Sequence, residues 1–177
     1  MEEVIIETER LILRPRKLED VDDMVEGLNN LNVSKWLSEF PYPYTREDAI
    51  KAINKKRDNA YIFSIVLKEN KKVIGGVGII ITDPIEKIGK GGIWINEKYQ
   101  KKGYGKEAFK ARIKFAFEEL NLSKIEDGFF IDNEKSRDMQ LSIGYRETGI
   151  IEKNICKATG EEKEIKITEI TKEDYKD

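Results

Sequence analysis

Apolar positions along this chain change period several times, and each period predicts an element. RLILRP (10–15) alternates polar and apolar up to Pro15 and reads as a first strand. Over 18–31, Val21, Met24, Val25 and Leu28 fall on one helical face, and the acids early in that run suit a positive helix N-terminus. WLSEFPYPY (36–44) holds two prolines among four aromatics and predicts a loop, because proline cannot continue a helix. Thr45 and Asp48 then have capping-box spacing, with Asp where Glu or Gln is usual, and the helix that follows carries Ala49, Ile50 and Ile53.

YIFSIVLK (61–68), KVIGGVGIII (72–81) and GGIWI (91–95) predict three strands, joined through ENKK and the Asp83-Pro84 turn as successive antiparallel neighbours. From about Tyr104 to Leu120 the period returns to helical, with Phe109, Ile113, Ala116, Phe117 and Leu120 as the core stripe. SKIEDGFFI (123–131) is a further strand and NEKSRDMQLSIG (133–144) a short helix closed by Gly144. RETGIIEKNICK and EKEIKITEI flank the Thr159-Gly160 turn as two last strands. The pattern predicts one α/β (α+β) domain over 1–177, with about seven strands and about four helices.

Composition narrows the chemistry. Lys+Arg 32 against Asp+Glu 34 gives a net charge of -2, without the basic excess of a general nucleic-acid binder. Histidine is absent and the single cysteine, Cys156, has no metal-ligand spacing around it. Catalysis would run on carboxylates, hydroxyls, Lys, Tyr or backbone groups, with no metal. The acidic start MEEVIIETER carries no leader pattern, and VIGGVGIII is too short to span a bilayer, so the expectation is a cytoplasmic protein with no membrane contact. Edge strands near the C-terminus leave a homodimer open.

QKKGYGKEAF (100–109) carries the chemistry. The first N–H groups of a helix lack internal partners, and the helix dipole adds partial positive charge there. Gly103 and Gly105 let the backbone approach an anion closely, and Lys101, Lys102 and Lys106 attract it from further off. Glu107 follows Lys106 where a phosphate loop that holds Mg²⁺ needs Ser or Thr, which argues against a nucleotide hydrolase. The spacing after G-Y-G fails the dinucleotide fingerprint as well. A plain strand-to-helix turn with solvated lysines is the competing reading of this stretch alone.

INEKYQKKGYGKEA resembles the acetyl-CoA signature of the GNAT acyltransferase superfamily, R/Q-x-x-G-x-G/A. TERLILRPRKLEDVDDM, FPYPYTREDA and NEKSRDMQLSIGYRETG are similar to segments of its branch that acetylates ribosomal-protein N-termini. The resemblance covers nearly the whole chain. It implies a mixed sheet whose fourth and fifth strands splay, with pantetheine in the gap. It also implies N-acetyl transfer from acetyl-CoA directly to a primary amine: a protein N-terminus first, and a small amine such as a polyamine or aminoglycoside second. A non-catalytic acyl-CoA-binding or sensing domain is the alternative.

By the same resemblance, the backbone of Trp94, Ile95 and Asn96 would meet pantetheine, and N–H groups from Lys101, Lys102, Gly103, Tyr104, Gly105 and Lys106 would cradle the pyrophosphate. Gln100 would brace the loop, Asn133 would bond the pantetheine arm, and Ser136 would sit near the thioester sulfur. Ser136 is the candidate general acid, with local capping of its own helix as the competing reading. Gln140 stands where relatives often carry Tyr, and Tyr145 reads as core. The usual Glu of the fourth strand is replaced by Gly89 and Lys90, leaving Glu86 or Glu39 as base candidates, or a water chain. Trp36, Phe40, Tyr42 and Tyr44 would wall the acceptor pocket, or else form a satellite core.

Overall fold

A computed structural model of the chain describes residues 3–176. Its strands are β1 (Ile6–Glu7), β2 (Leu11–Pro15), β3 (Ala60–Leu67), β4 (Val73–Asp83), β5 (Ile88–Ile95), β6 (Lys124–Phe130), β7 (Arg146–Ile155) and β8 (Glu162–Thr171). They form one sheet in the order β1-β2-β3-β4-β5-β6-β8-β7. All neighbours are antiparallel except β5 and β6, which run parallel. The helices are α1 (Val21–Leu28), α2 (Leu31–Ser34), α3 (Arg46–Asn54), α4 (Tyr104–Glu118) and α5 (Glu134–Ile143). Among the described residues none is long and apolar enough to cross a membrane.

Alternation along the strands sorts the side chains onto two faces. Leu11, Leu13, Phe63, Ile65, Val77 and Ile79 point toward α4 and pack with its Phe109, Ile113 and Phe117. On the other face α1 and α3 cover a smaller core of Met24, Leu28, Tyr44, Ala49 and Trp94. The sheet therefore has a helical layer on each side, and its central strands β3 and β4 read as near-continuous apolar runs rather than one-sided ones.

The local signals explain most of the boundaries. At α3, the Thr45 hydroxyl accepts from the Asp48 N–H at 3.2 Å, and the Asp48 carboxylate accepts from the Thr45 N–H at 2.9 Å. Aspartate thus completes the box. Gly144 ends α5 in the left-handed region at φ 119°.

Three expectations are corrected. The helix read over 18–31 is broken: a 3-10 turn at Leu18–Asp20 leads into α1, and the Asn30 side chain starts α2 by accepting from the Asn32 N–H. The strand read as 91–95 begins at Ile88, because the turn at Asp83 releases the chain earlier. The sheet has eight strands and five helices among the described residues, since Ile6–Glu7 pairs with β2 and α2 is separate.

Gly91, on β5, is sterically fixed. A Cβ there would lie 1.9 Å from the Gly78 carbonyl oxygen, which is backbone and cannot swing aside. A Cβ on neighbouring Gly92 would meet nothing within 4 Å. Gly91→Ala should therefore lower unfolding stability by about 3 kcal/mol or more, while Gly92→Ala stays within about 0.5 kcal/mol, both read by urea denaturation.

Candidate active site

The site begins where two strands stop pairing. β5 and β6 share only the Ile88–Lys124 and Gly89–Ile125 pairs and then part. Separation would strand the next amide on the β5 edge, that of Gly91, but it donates to Asp127 Oδ1 at 2.8 Å. Asp127 is held in turn by Arg112 of α4 at 2.6 Å and by the Tyr145 hydroxyl at 2.6 Å. Arg112 is fully buried, as is the Asp127 side chain to within 1%. Burial opposes the Arg112 charge, yet the adjacent carboxylate more than restores it and its pKa is raised. Burial drives the Tyr145 phenol far above its usual value, so it stays a proton donor. This buried group wedges the gap open and closes off its narrow end.

Beyond the wedge the β5 edge is bare. The Asn96 N–H donates back to Ile74 O at 2.8 Å, and Trp94 pairs with Gly76 of β4, so even-numbered residues turn their backbone toward β4. Alternation then aims Gly91, Ile93 and Ile95 into the gap. Of the expected Trp94, Ile95 and Asn96, the backbone of Ile95 faces the gap and that of Trp94 and Asn96 faces β4; Ile93, outside that expectation, faces the gap as well. Knowing which neighbour takes the even residues requires the β4–β5 register, which composition of the strand alone does not reveal. The Trp94 indole itself is buried against Gly27 and Gly76.

At the end of β5 the chain turns through the glycine loop into α4. The Gln100 side chain donates to Ile95 O at 2.9 Å across the turn. Lys101 (φ 61°) and Gly103 (φ 82°) both sit in the left-handed region, with Lys102 between them. Alternating handedness of this kind gathers N–H groups into an anion-binding concavity. Gly103 is also the N-cap of a 15-residue helix and offers no side-chain cap, so the first-turn N–H groups of Tyr104, Gly105 and Lys106 keep their donors for another partner.

Arg10 ties this loop to the sheet. It donates to Lys102 O at 2.9 Å, pairs with Glu107 at 2.7 Å and stacks over the Tyr104 ring at 4.4 Å. Burial would raise the Glu107 pKa, but hydrogen bonds from Thr8 and Arg10 hold it below the usual carboxylate range. Glu107 therefore carries its negative charge while facing Arg10. Gly105 lies 3.5 Å from Ile95 and 3.9 Å from Met139 of α5, measured from the position a Cβ would take. Loop, β5 edge and α5 thus meet at one end of the gap.

Across the gap, α5 presents Asn133 and Ser136. Asn133 is the N-cap, its Oδ1 accepting from the Ser136 N–H at 3.3 Å, while its Nδ2 has no partner among the described residues. Buried Gln140 donates to Gly128 O at 3.2 Å and to the Ser136 Oγ at 3.1 Å, and its Oε1 accepts from the Thr168 hydroxyl. A carbonyl can only accept, so Gly128 fixes which end of the Gln140 amide faces Ser136. Ser136 Oγ is then an acceptor from Gln140, and its own proton is free to point elsewhere. The cap at this position runs from the Ser136 N–H to Asn133, and the Ser136 hydroxyl makes no backbone hydrogen bond among the described residues, so the local-capping reading of the hydroxyl is not what forms. Gln140 was noted only as a replacement for Tyr; besides Ser136, its partners are 12 and 28 residues away and invisible locally.

Both acid candidates are exposed. Glu86 lies in the exposed β4–β5 turn at the closed end of the gap. β5 begins only at Ile88, so Glu86 lies before the paired end of the strand, on the far side of the Ile88–Lys124 pair from the open edge. Glu39 is exposed on the 36–44 loop. Of the aromatics, Tyr44 is buried in the smaller core and Phe40 packs edge-on against it at 6.0 Å, whereas Tyr42 is 44% exposed. Trp36 lies between Lys35 and Lys163, and Lys163 also reaches Phe130 of β6. The loop therefore divides between satellite core and gap wall. Among the described residues no group of three His, Cys, Asp or Glu could hold a metal ion.

The family description "Acetyltransferase (GNAT) domain" matches residues 10–146. The chain belongs to the GNAT acetyltransferase family. It is 33% identical over 156 residues to the uncharacterized N-acetyltransferase YnaD of Bacillus subtilis (strain 168), covering 86% of this chain and 88% of that one. A candidate ribosomal-protein-serine acetyltransferase of Vibrio cholerae is 25% identical with a TM-score of 0.78, covering 95% of this chain and 97% of its own. The spermidine N-acetyltransferase of Vibrio cholerae, solved with CoA and spermine, shares the fold at 23% identity and a TM-score of 0.81, covering 95% and 99%. This GNAT chain is an N-acetyltransferase with acetyl-CoA as co-substrate, and the strand splay, the left-handed Gly103 and the uncapped α4 fit that co-substrate.

The two glycines of the loop should behave oppositely. Gly105 sits in a helix with ordinary contacts, so Gly105→Ala should stabilise the GNAT fold by up to about 1 kcal/mol and keep acetyl-CoA binding. Gly103→Ala forces a side chain into φ 82°, should cost about 1–2 kcal/mol, and should weaken acetyl-CoA in calorimetry.

Proposed function

We propose that this chain acetylates the N-terminal amine of a protein or peptide, with a polyamine as the weaker alternative. The observation that carries the reading is the groove formed where β5 leaves β6, with the Ile93 amide, the α4 N-terminus and Ser136 on its borders. Support for a peptide acceptor comes from the Vibrio cholerae ribosomal-protein-serine relative, which at 25% identity aligns over nearly the whole chain.

In this reading N–H groups of residues 101–106 hold the pyrophosphate, the Asn133 Nδ2 donates to the pantetheine arm, and the Ile93 N–H polarises the thioester carbonyl. The amine lone pair attacks the carbonyl carbon, the C–S bond breaks, and sulfur leaves with the electron pair. Ser136 gives its proton to that sulfur and is reprotonated from solvent, while the new amide loses a proton to water. Gln140, by donating to Ser136 Oγ, keeps that proton aimed away from itself.

Thiol release should depend on an N-terminal peptide amine and exceed that with spermidine. Ser136→Ala should lower kcat by about 10²–10⁴-fold with little change in calorimetric acetyl-CoA affinity. Gln140→Leu should lower kcat in the same direction by less. Unchanged kcat in Ser136→Ala would remove it as the acid. Turnover of spermidine in preference to every peptide would remove the peptide acceptor.

A further inference from the structure

The splay leaves backbone groups without strand partners on the β6 bank as well as on β5. The Ile131 N–H donates to Glu164 O at 3.0 Å, so odd-numbered residues of β6 turn their backbone toward β8 and even-numbered ones toward the gap. The Gly128 carbonyl is therefore a groove group, and the Gln140 amide of α5 takes it at 3.2 Å. The same NH₂ donates to Ser136 Oγ at 3.1 Å, which uses both of its protons. The other end of the amide is held from β8, where the Thr168 hydroxyl donates to Gln140 Oε1. Gln140 is 2% exposed and Thr168 fully buried, so solvent has little access to these bonds.

Thr168 stands back from the groove, one strand behind the bank that carries Gly128. It pairs with Asp127 across β6 and β8, and the two side chains leave the same face of the sheet about 5 Å apart. The chain that ends at Ser136 is thus rooted beside the buried Asp127 group. A hydroxyl has one proton to give, and that of Thr168 goes to Gln140. The direction of each bond is then fixed: Thr168 to Gln140, Gln140 to Ser136, and the Ser136 proton outward. Bonds running head to tail polarise one another, which strengthens the Gln140 N–H as a donor. If the amide turned over, its oxygen would face the Gly128 carbonyl and would draw the Ser136 proton back onto itself.

We propose that Thr168 is a positioning residue for the acetyl transfer: acting through Gln140, it keeps the Ser136 hydroxyl proton turned into the groove. The proposal rests on the reading of Ser136 as the acid. As the Ser136 O–H bond breaks toward the departing sulfur, its electron pair stays on Oγ, where the Gln140 N–H stabilises it until solvent returns a proton. Without the Thr168 hydroxyl, Gln140 Oε1 is buried and lacks that donor. Ser136, 3.1 Å from the other end of the same amide, is then the donor at hand. Its proton would point to Gln140 instead of to sulfur.

The test is a double-mutant cycle on kcat, read by thiol release with an N-terminal peptide and separately with spermidine, alongside calorimetric acetyl-CoA affinity. Thr168→Val keeps the side-chain shape and removes the hydroxyl. It should lower kcat about tenfold and leave the acetyl-CoA Kd unchanged. Thr168→Ser restores the hydroxyl and should recover most of that loss. In a Ser136→Ala background Thr168→Val should have no further effect, because the proton it directs is gone. A loss that repeats in the Ser136→Ala background, or one that Thr168→Ser shares in full, would overturn the proposal and leave Thr168 a packing residue. Full activity in Thr168→Val would also overturn it, with Ser136 still standing as the acid. Full activity in Ser136→Ala would remove the acid reading and the positioning role together.

Discussion

One buried ion pair sets the geometry of this chain. Two parallel strands that separate must leave backbone amides without partners, and a buried unpaired amide costs on the order of 1–3 kcal/mol. Asp127 resolves this by accepting the Gly91 N–H from across the gap, and Arg112 and Tyr145 make that carboxylate tolerable in the interior. Removing one member of such a group leaves an uncompensated charge, typically a loss of about 3–5 kcal/mol. Gly91 has to be glycine here because its Cα lies against the Gly78 carbonyl. The pair, the glycine and the splay are therefore one structural unit.

From that unit the rest of the groove follows. Beyond Gly91, whose N–H goes to Asp127, the odd-numbered residues of β5 turn their backbone groups to the gap, where Gln100 takes the carbonyl of Ile95. The turn that begins there delivers an uncapped helix N-terminus beside the same edge, and Arg10 anchors it through Glu107 and Lys102. On the far bank, Gln140 links β6, α5 and β8 through Gly128, Ser136 and Thr168. An acyl donor held in the groove and an acceptor entering it would meet between two rigid banks.

What the sequence made legible was mostly local. The QKKGYG loop, the Thr45–Asp48 box and the Gly144 cap depend on a few neighbouring residues, and each is found where it was expected. The splay was legible only through resemblance, because Asp127 and Arg112 in sequence are one strand acid and one helix base among many. The backbone facing of β5 depends on which residues of β4 pair with it, so the strand's own residues do not reveal that Ile93 faces the gap and Asn96 does not. Asn29 and Asn30 broke a helix whose apolar period alone ran through to Leu31, since an Asn cap competes with the periodic signal. Glu86 was attractive by sequence distance from β5, yet strand geometry carries it away from the groove. Tyr44, for which the sequence left pocket wall and satellite core both open, lies in the smaller core with its hydroxyl unpaired.

The central claim is that the cofactor meets the bare β5 edge which the Asp127 wedge holds open. The most direct measurement is the amide ¹⁵N–¹H spectrum of the chain as acetyl-CoA is added. The account predicts that the Ile93 amide and those of residues 103–106 move most, while the Gly91 amide, already bonded to Asp127, moves much less. Saturable binding that leaves Ile93 unmoved would contradict it.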